Sequence, residues 1–120
     1  MTQQKSKSIR SSEMEYFFRG KLWKHNGPGG WCFITVPKVH SRKIRKIHIS
    51  SEEGWGRLKT LAIIGESSWK TAIWFDTKAD AYLLPVKSLI RKQEKLQVGT
   101  KFEVRLKFEF EKWFEDNFVA

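Results

Sequence analysis

Cysteine occurs once in these 120 residues, at Cys32, so no internal disulfide can hold the fold. The three histidines, His25, His40 and His48, sit in separate segments, and no His/Cys pair has zinc-ligand spacing. No metal and no cofactor are therefore expected. No apolar run approaches the ~18 residues that span a bilayer. Behind the positive N-terminus MTQQKSKSIRSS there is no apolar stretch of the kind a secretory signal needs. Together with the lone cysteine, this makes a reducing cytoplasm the expected compartment. Catalytic motifs are missing as well. Glu52 and Glu53 are adjacent and would point different ways, a poor acid/base pair. Cys32, between Trp31 and Phe33, reads as a small core residue rather than a nucleophile. The expectation is a protein without enzymatic activity.

Acidic residues are also scarce: 13 Asp and Glu face 23 Lys and Arg, for a formal charge of +10. Such a balance suits an anionic partner, a nucleic acid or a small anion, or else serves solubility. Residues 1–12 are polar and basic without periodicity and read as a flexible tail carrying Lys5, Lys7 and Arg10. Residues 13–120 are long enough for one core but not two.

Hydrophobic content is 40%, and its clearest pattern lies near the C-terminus. Phe102, Val104, Leu106, Phe108 and Phe110 alternate with Glu103, Arg105, Lys107 and Glu109, the period of a half-buried strand. A slip of one residue would turn the whole apolar set to water, so the register is strongly specified. Further strands are expected at Glu15–Lys24, Trp31–Val36, Arg57–Ile64, Ser68–Phe75 and Ala81–Leu84. In the first, Tyr16, Phe18 and Leu22 oppose Phe17 and Trp23; Trp31–Val36 is apolar on both faces. The segment His25–Gly30 is a connecting loop, Pro37 and Pro85 end strands, and Gly99 makes the turn into the last one. It precedes a strand and lacks a P-loop lysine, which speaks against a phosphate cradle.

Two stretches change to helical period. Val39–Ser50 places Ile44 and Ile47 on one side, with Ser41 as N-cap and Arg42, Lys43, Arg45 and Lys46 around the rest. Leu89–Glu94, capped by Ser88, turns Val86, Leu89, Ile90 and Leu96 inward and Lys87, Arg91 and Lys92 outward. After Phe110, the segment EKWFEDNFVA reads as an amphipathic turn or a frayed end. The fold class is mainly β: a small closed or partly open β-barrel of about six strands with two short helices.

Phe18-x-x-x-Leu22-Trp23, Gly30-Trp31, Pro37, Ile64-Gly65, Trp69-Lys70-Thr71, Leu84-Pro85-Val86-Lys87, Arg91-Lys92 and Val98-Gly99 resemble the bacterial family called domain of unknown function 1905. The resemblance covers nearly everything from Glu15 to Leu106. It implies a small β-barrel with short helices and, since that family has no established activity, no reaction. Pro85, Arg91, Leu96 and Gly99 also look like the pattern of AbrB-like swapped-hairpin DNA-binding proteins, with Thr100 where an acid is usual and a longer proline-to-arginine spacing.

Two kinds of site follow. As a binding module, Arg42, Lys43, Arg45, Lys46, Lys87, Arg91 and Lys92 would form one basic surface that meets phosphate. As a pocket protein or enzyme, the barrel mouth would use Trp69, Thr71, Lys87 and Arg91 to hold a carboxylate or phosphate. Trp31 and Trp69 fit core-facing positions, whereas Trp23, Trp55, Trp74 and Trp113 are candidates for exposure, where rings beside cations stack bases. A continuous convex patch of cations would favour nucleic acid; cations converging on an apolar cavity would favour a small anion.

Overall fold

The structure is a computed structural model that describes residues 13–48 and 56–109. The N-terminal tail, Glu52–Trp55, and the segment from Phe110 with Trp113 lie outside the described residues. Alternation builds the sheet as the sequence implies. The elements are β1 (Glu13–Lys24), β2 (Cys32–Thr35), α1 (Lys38–His48), β3 (Arg57–Ile64), β4 (Ser67–Asp76), β5 (Ala81–Pro85), α2 (Ser88–Gln93) and β6 (Lys101–Glu109).

The six strands close into an antiparallel barrel in the order β1-β2-β5-β4-β3-β6. The longest ladder runs from Glu13↔Glu109 to Lys21↔Lys101, so the first and last strands form one wall. Inward positions come from every strand: Tyr16, Phe18 and Leu22; Cys32 and Ile34; Leu58, Ala62 and Ile64; Trp69 and Ile73; Tyr82 and Leu84; Val104, Leu106 and Phe108. Phe102 packs half-buried at the edge of this cluster. Burying each large apolar side chain contributes roughly 1.5–3 kcal/mol relative to exposure. Gly20 belongs to the inner face because no larger residue fits. A Cβ there would overlap Ile34 Cγ2, and Ile34 is itself fully enclosed.

Each helix adds one isoleucine to the same core, Ile44 from α1 and Ile90 from α2. The amphipathic faces differ from expectation at their margins, since Ile47 and Leu89 are exposed. Neither helix is capped as the sequence suggests. Ser41 lies inside α1, where its hydroxyl donates to Val36 O (3.1 Å) and accepts from Tyr82 N (3.0 Å). It thus stitches α1 to β5 where the β2–β5 ladder runs out, and burial of that ladder end demands such a partner. Ser88 is the first helical residue of α2, whose cap position is Lys87 and has no side-chain cap bond.

The helices sit at opposite ends of the barrel. β2 and β5 are antiparallel, α1 follows the C-terminal end of one and α2 the C-terminal end of the other. Val36 N donates to Tyr82 O at the α1 end, and Val86 N donates to Cys32 O at the α2 end.

Candidate functional site

At the α2 end the wall opens. The β4–β5 ladder covers only Trp74–Asp76 against Ala81–Leu83, although β4 begins at Ser67. Trp69, Lys70 and Thr71 therefore part from Pro85 and Val86, and a cavity of about 430 Å³ lies between them. Its remaining wall is Gly29–Cys32 together with Lys87, Ser88 and Arg91. All four residues expected at a barrel mouth, Trp69, Thr71, Lys87 and Arg91, line this one recess.

The recess has an apolar floor and a cationic rim. Trp69 is buried at 8% exposure, and Cys32 and Val86 are enclosed beside it. Lys70 and Lys87 are exposed, while Arg91 is half-buried and donates Nε–H to Val86 O (3.0 Å). That bond pins the guanidinium by the one donor nearest its stem and leaves the terminal fork for a bidentate partner. Lys24, which pairs with Cys32 across β1 and β2, reaches toward Gly30 at the same rim. Neither Lys24 nor Lys70 was among the residues that sequence reasoning selected. Lys70 was findable, since it stands between the two pocket residues of β4.

The single basic surface does not form. Arg42, Lys43, Arg45 and Lys46 lie on α1, at the far end of the barrel from Lys87, Arg91 and Lys92 on α2. Antiparallel pairing of β2 with β5 sends the two helices apart. On α1, Arg42 approaches Asp80 at 3.9 Å, an exposed pair, and the Arg45 guanidinium lies 3.8 Å from the centre of the Phe75 ring. Lys43 and Lys46 are exposed, as is Lys92, which does not line the recess.

The tryptophans also depart from expectation. Trp31 is not in the core: it is 55% exposed, because Cys32, Ile34 and Val36 take the inner positions of its segment. Trp74 is 47% exposed, as expected, and Trp23 is half-buried. With Phe33 they form an aromatic face on the outside of β1, β2, β5 and β4, around a groove of about 450 Å³ that His25, Asp76, Leu83 and Pro85 complete.

Two other recesses offer their cations less freely. One of about 540 Å³ between β3, β4 and β6 has Arg57, Lys59, Lys70 and Lys107 around it. Lys107 there already approaches Glu15 at 3.6 Å, and Arg57 and Lys59 engage groups within the chain. Another, of about 430 Å³, lies beside Phe17, where Arg105 covers the ring at 5.1 Å and Glu103 opposes the cations. Among the described residues no cluster of His, Cys, Asp or Glu could hold a metal, and no helix is long and apolar enough to cross a membrane.

The fold and recess define a class: a small closed antiparallel barrel, plugged at each end by a short helix and open on one side to a cation-rimmed pocket. The family model for the Domain of unknown function (DUF1905) matches residues 18–106, from β1 into β6, and the chain belongs to that family. No curated protein matches the chain.

Proposed function

We propose that this protein is a non-enzymatic binding module that takes a small anion in the recess between β4, β5 and α2. The observation that carries this reading is the convergence of Lys70, Lys87 and Arg91 on one apolar-floored cavity, with Arg91 held in place through Val86 O. Thr71 supplies a hydroxyl able to donate or accept, and Trp69 excludes water from the floor. A phosphate or carboxylate suits the arginine fork, and partial burial strengthens the charge-assisted bonds. A cytoplasmic setting belongs to this reading, since one enclosed, unpaired cysteine suits a reducing compartment.

The test is a thermal-shift titration with inorganic phosphate, pyrophosphate and a short dicarboxylate against chloride at matched ionic strength. A bound anion at about a hundred times its Kd adds ~2.7 kcal/mol of stability and raises Tm. Lys87→Gln and Lys70→Gln each weaken binding about tenfold, the value of one lost charge-assisted bond. Lys43→Gln on α1 leaves it unchanged. No shift with any of the anions, or equal losses in all three variants, removes the proposal.

A further inference from the structure

The anion site and the aromatic face are not independent features. Trp31 and Pro85 line both the cationic recess and the aromatic groove, so a ligand can occupy the two together. From this we infer that the ligand is a nucleotide unit, its phosphate in the recess and its base on the outer aromatic face; the inference rests on the anion-binding reading above.

The aromatic face is a packed cluster of rings. The Trp31 and Phe33 rings are nearly parallel and stacked, 15° apart with centres 6.2 Å distant. The Trp23 ring also adjoins Phe33, at 5.2 Å and 35°, and Trp23 Nε1 donates to Thr35 Oγ1 at 2.9 Å, which fixes the indole. His25 meets Phe33 edge-on. Rings packed and tethered in this way form an ordered aromatic cluster whose exposed surface needs little further ordering when a planar ring packs on it. Large aromatics left half in water on a sheet face are unusual without a partner.

Charge sets the direction of the ligand. Lys24, Lys70, Lys87 and Arg91 cluster at the Trp31 end, while Asp76, the one carboxylate among the described residues that line either cavity, stands at the Trp74 side. A phosphate is drawn to the first end and repelled from the second. A base, uncharged and planar, suits the ground between them. A purely apolar partner would leave the cations unmatched, and a bare phosphate would leave the rings uncovered.

Calorimetric titration of the intact chain with AMP and with ribose 5-phosphate, which lacks the base, tests this. AMP binds about tenfold or more tightly than the sugar phosphate, the gain expected of one base on an aromatic platform. Trp74→Ala, at a position that lines the groove and not the recess, removes most of that gain and leaves ribose 5-phosphate binding unchanged; Trp31→Ala, where the two meet, loses the gain as well. A short adenylate strand separates the sources: tighter binding than AMP points to single-stranded nucleic acid, weaker binding to the free nucleotide, and either supports the inference. Equal affinity for AMP and ribose 5-phosphate overturns it while the anion site stands. Failure of both to bind while pyrophosphate binds also overturns it, and failure of all three overturns the anion site too. Dimerisation that Trp31→Ala abolishes would give the face to a second copy of the chain and overturn the nucleotide reading.

Discussion

Ser41 is a small residue on which two distant elements depend, and its removal can be worked through. The side chain is fully enclosed, donates to Val36 O and accepts from Tyr82 N. Ser41→Ala deletes only the hydroxyl, so almost no packing is lost. It takes away the acceptor used by a buried backbone N–H, which costs about 1–3 kcal/mol where water cannot replace it. The Val36 carbonyl loses a donor as well. We expect a destabilisation of about 2 kcal/mol. At ~4 °C per kcal/mol for a domain near this size, Tm falls by about 8 °C. Urea unfolding should show a lower midpoint with an unchanged m-value, since the surface exposed on unfolding is the same. Stability within about 0.5 kcal/mol of wild type, the range of an ordinary surface substitution, would refute the view that this hydroxyl joins α1 to β5.

Two further substitutions probe the barrel. Gly20→Ala places a methyl against Ile34 Cγ2 in an enclosed layer, so it destabilises by about 1–3 kcal/mol despite its better intrinsic propensity; chemical denaturation measures this. Burial holds the Tyr16 hydroxyl above its ordinary pKa of 10.0, so the folded chain keeps that proton after the unfolded chain has lost it. The contribution of this group to stability is level below pH 10 and declines as pH rises beyond it. Tyr16→Phe should therefore show a shallower alkaline loss of stability than wild type in unfolding curves taken on both sides of pH 10.

The strands were legible wherever a polar residue marks the outer face. Arg57–Ile64 and the ladder after Gly99 alternate cleanly, and both sit in the register that this implies. Trp31–Val36 has no such marker. With apolar residues on both faces, local pattern cannot say whether Trp31 or Cys32 turns inward, and enclosure of Ile34 and Val36 decides it. The four pocket residues were legible because β4 and the segment after Pro85 each carry a ring or a hydroxyl beside cations. The separation of the two basic helices was not, because it follows from β2 pairing with β5 across 50 residues of chain. The role of Ser41 is hidden for the same reason: a serine at the start of a helix reads as a cap, and its partner on β5 is 41 residues away. The aromatic cluster likewise exists only once β1, β2, β5 and β4 are neighbours.

The place of β6 has a consequence for how the chain is made. It lies between β1 and β3, pairing with both, yet of the six barrel strands it is synthesised after the other five. Until residues 101–109 emerge, β1 and β3 each present unmet amide groups and half of an apolar lining to whatever is nearby. The barrel must therefore wait for this keystone, and slow folding with a tendency to pair with neighbouring copies during synthesis follows from that order of assembly.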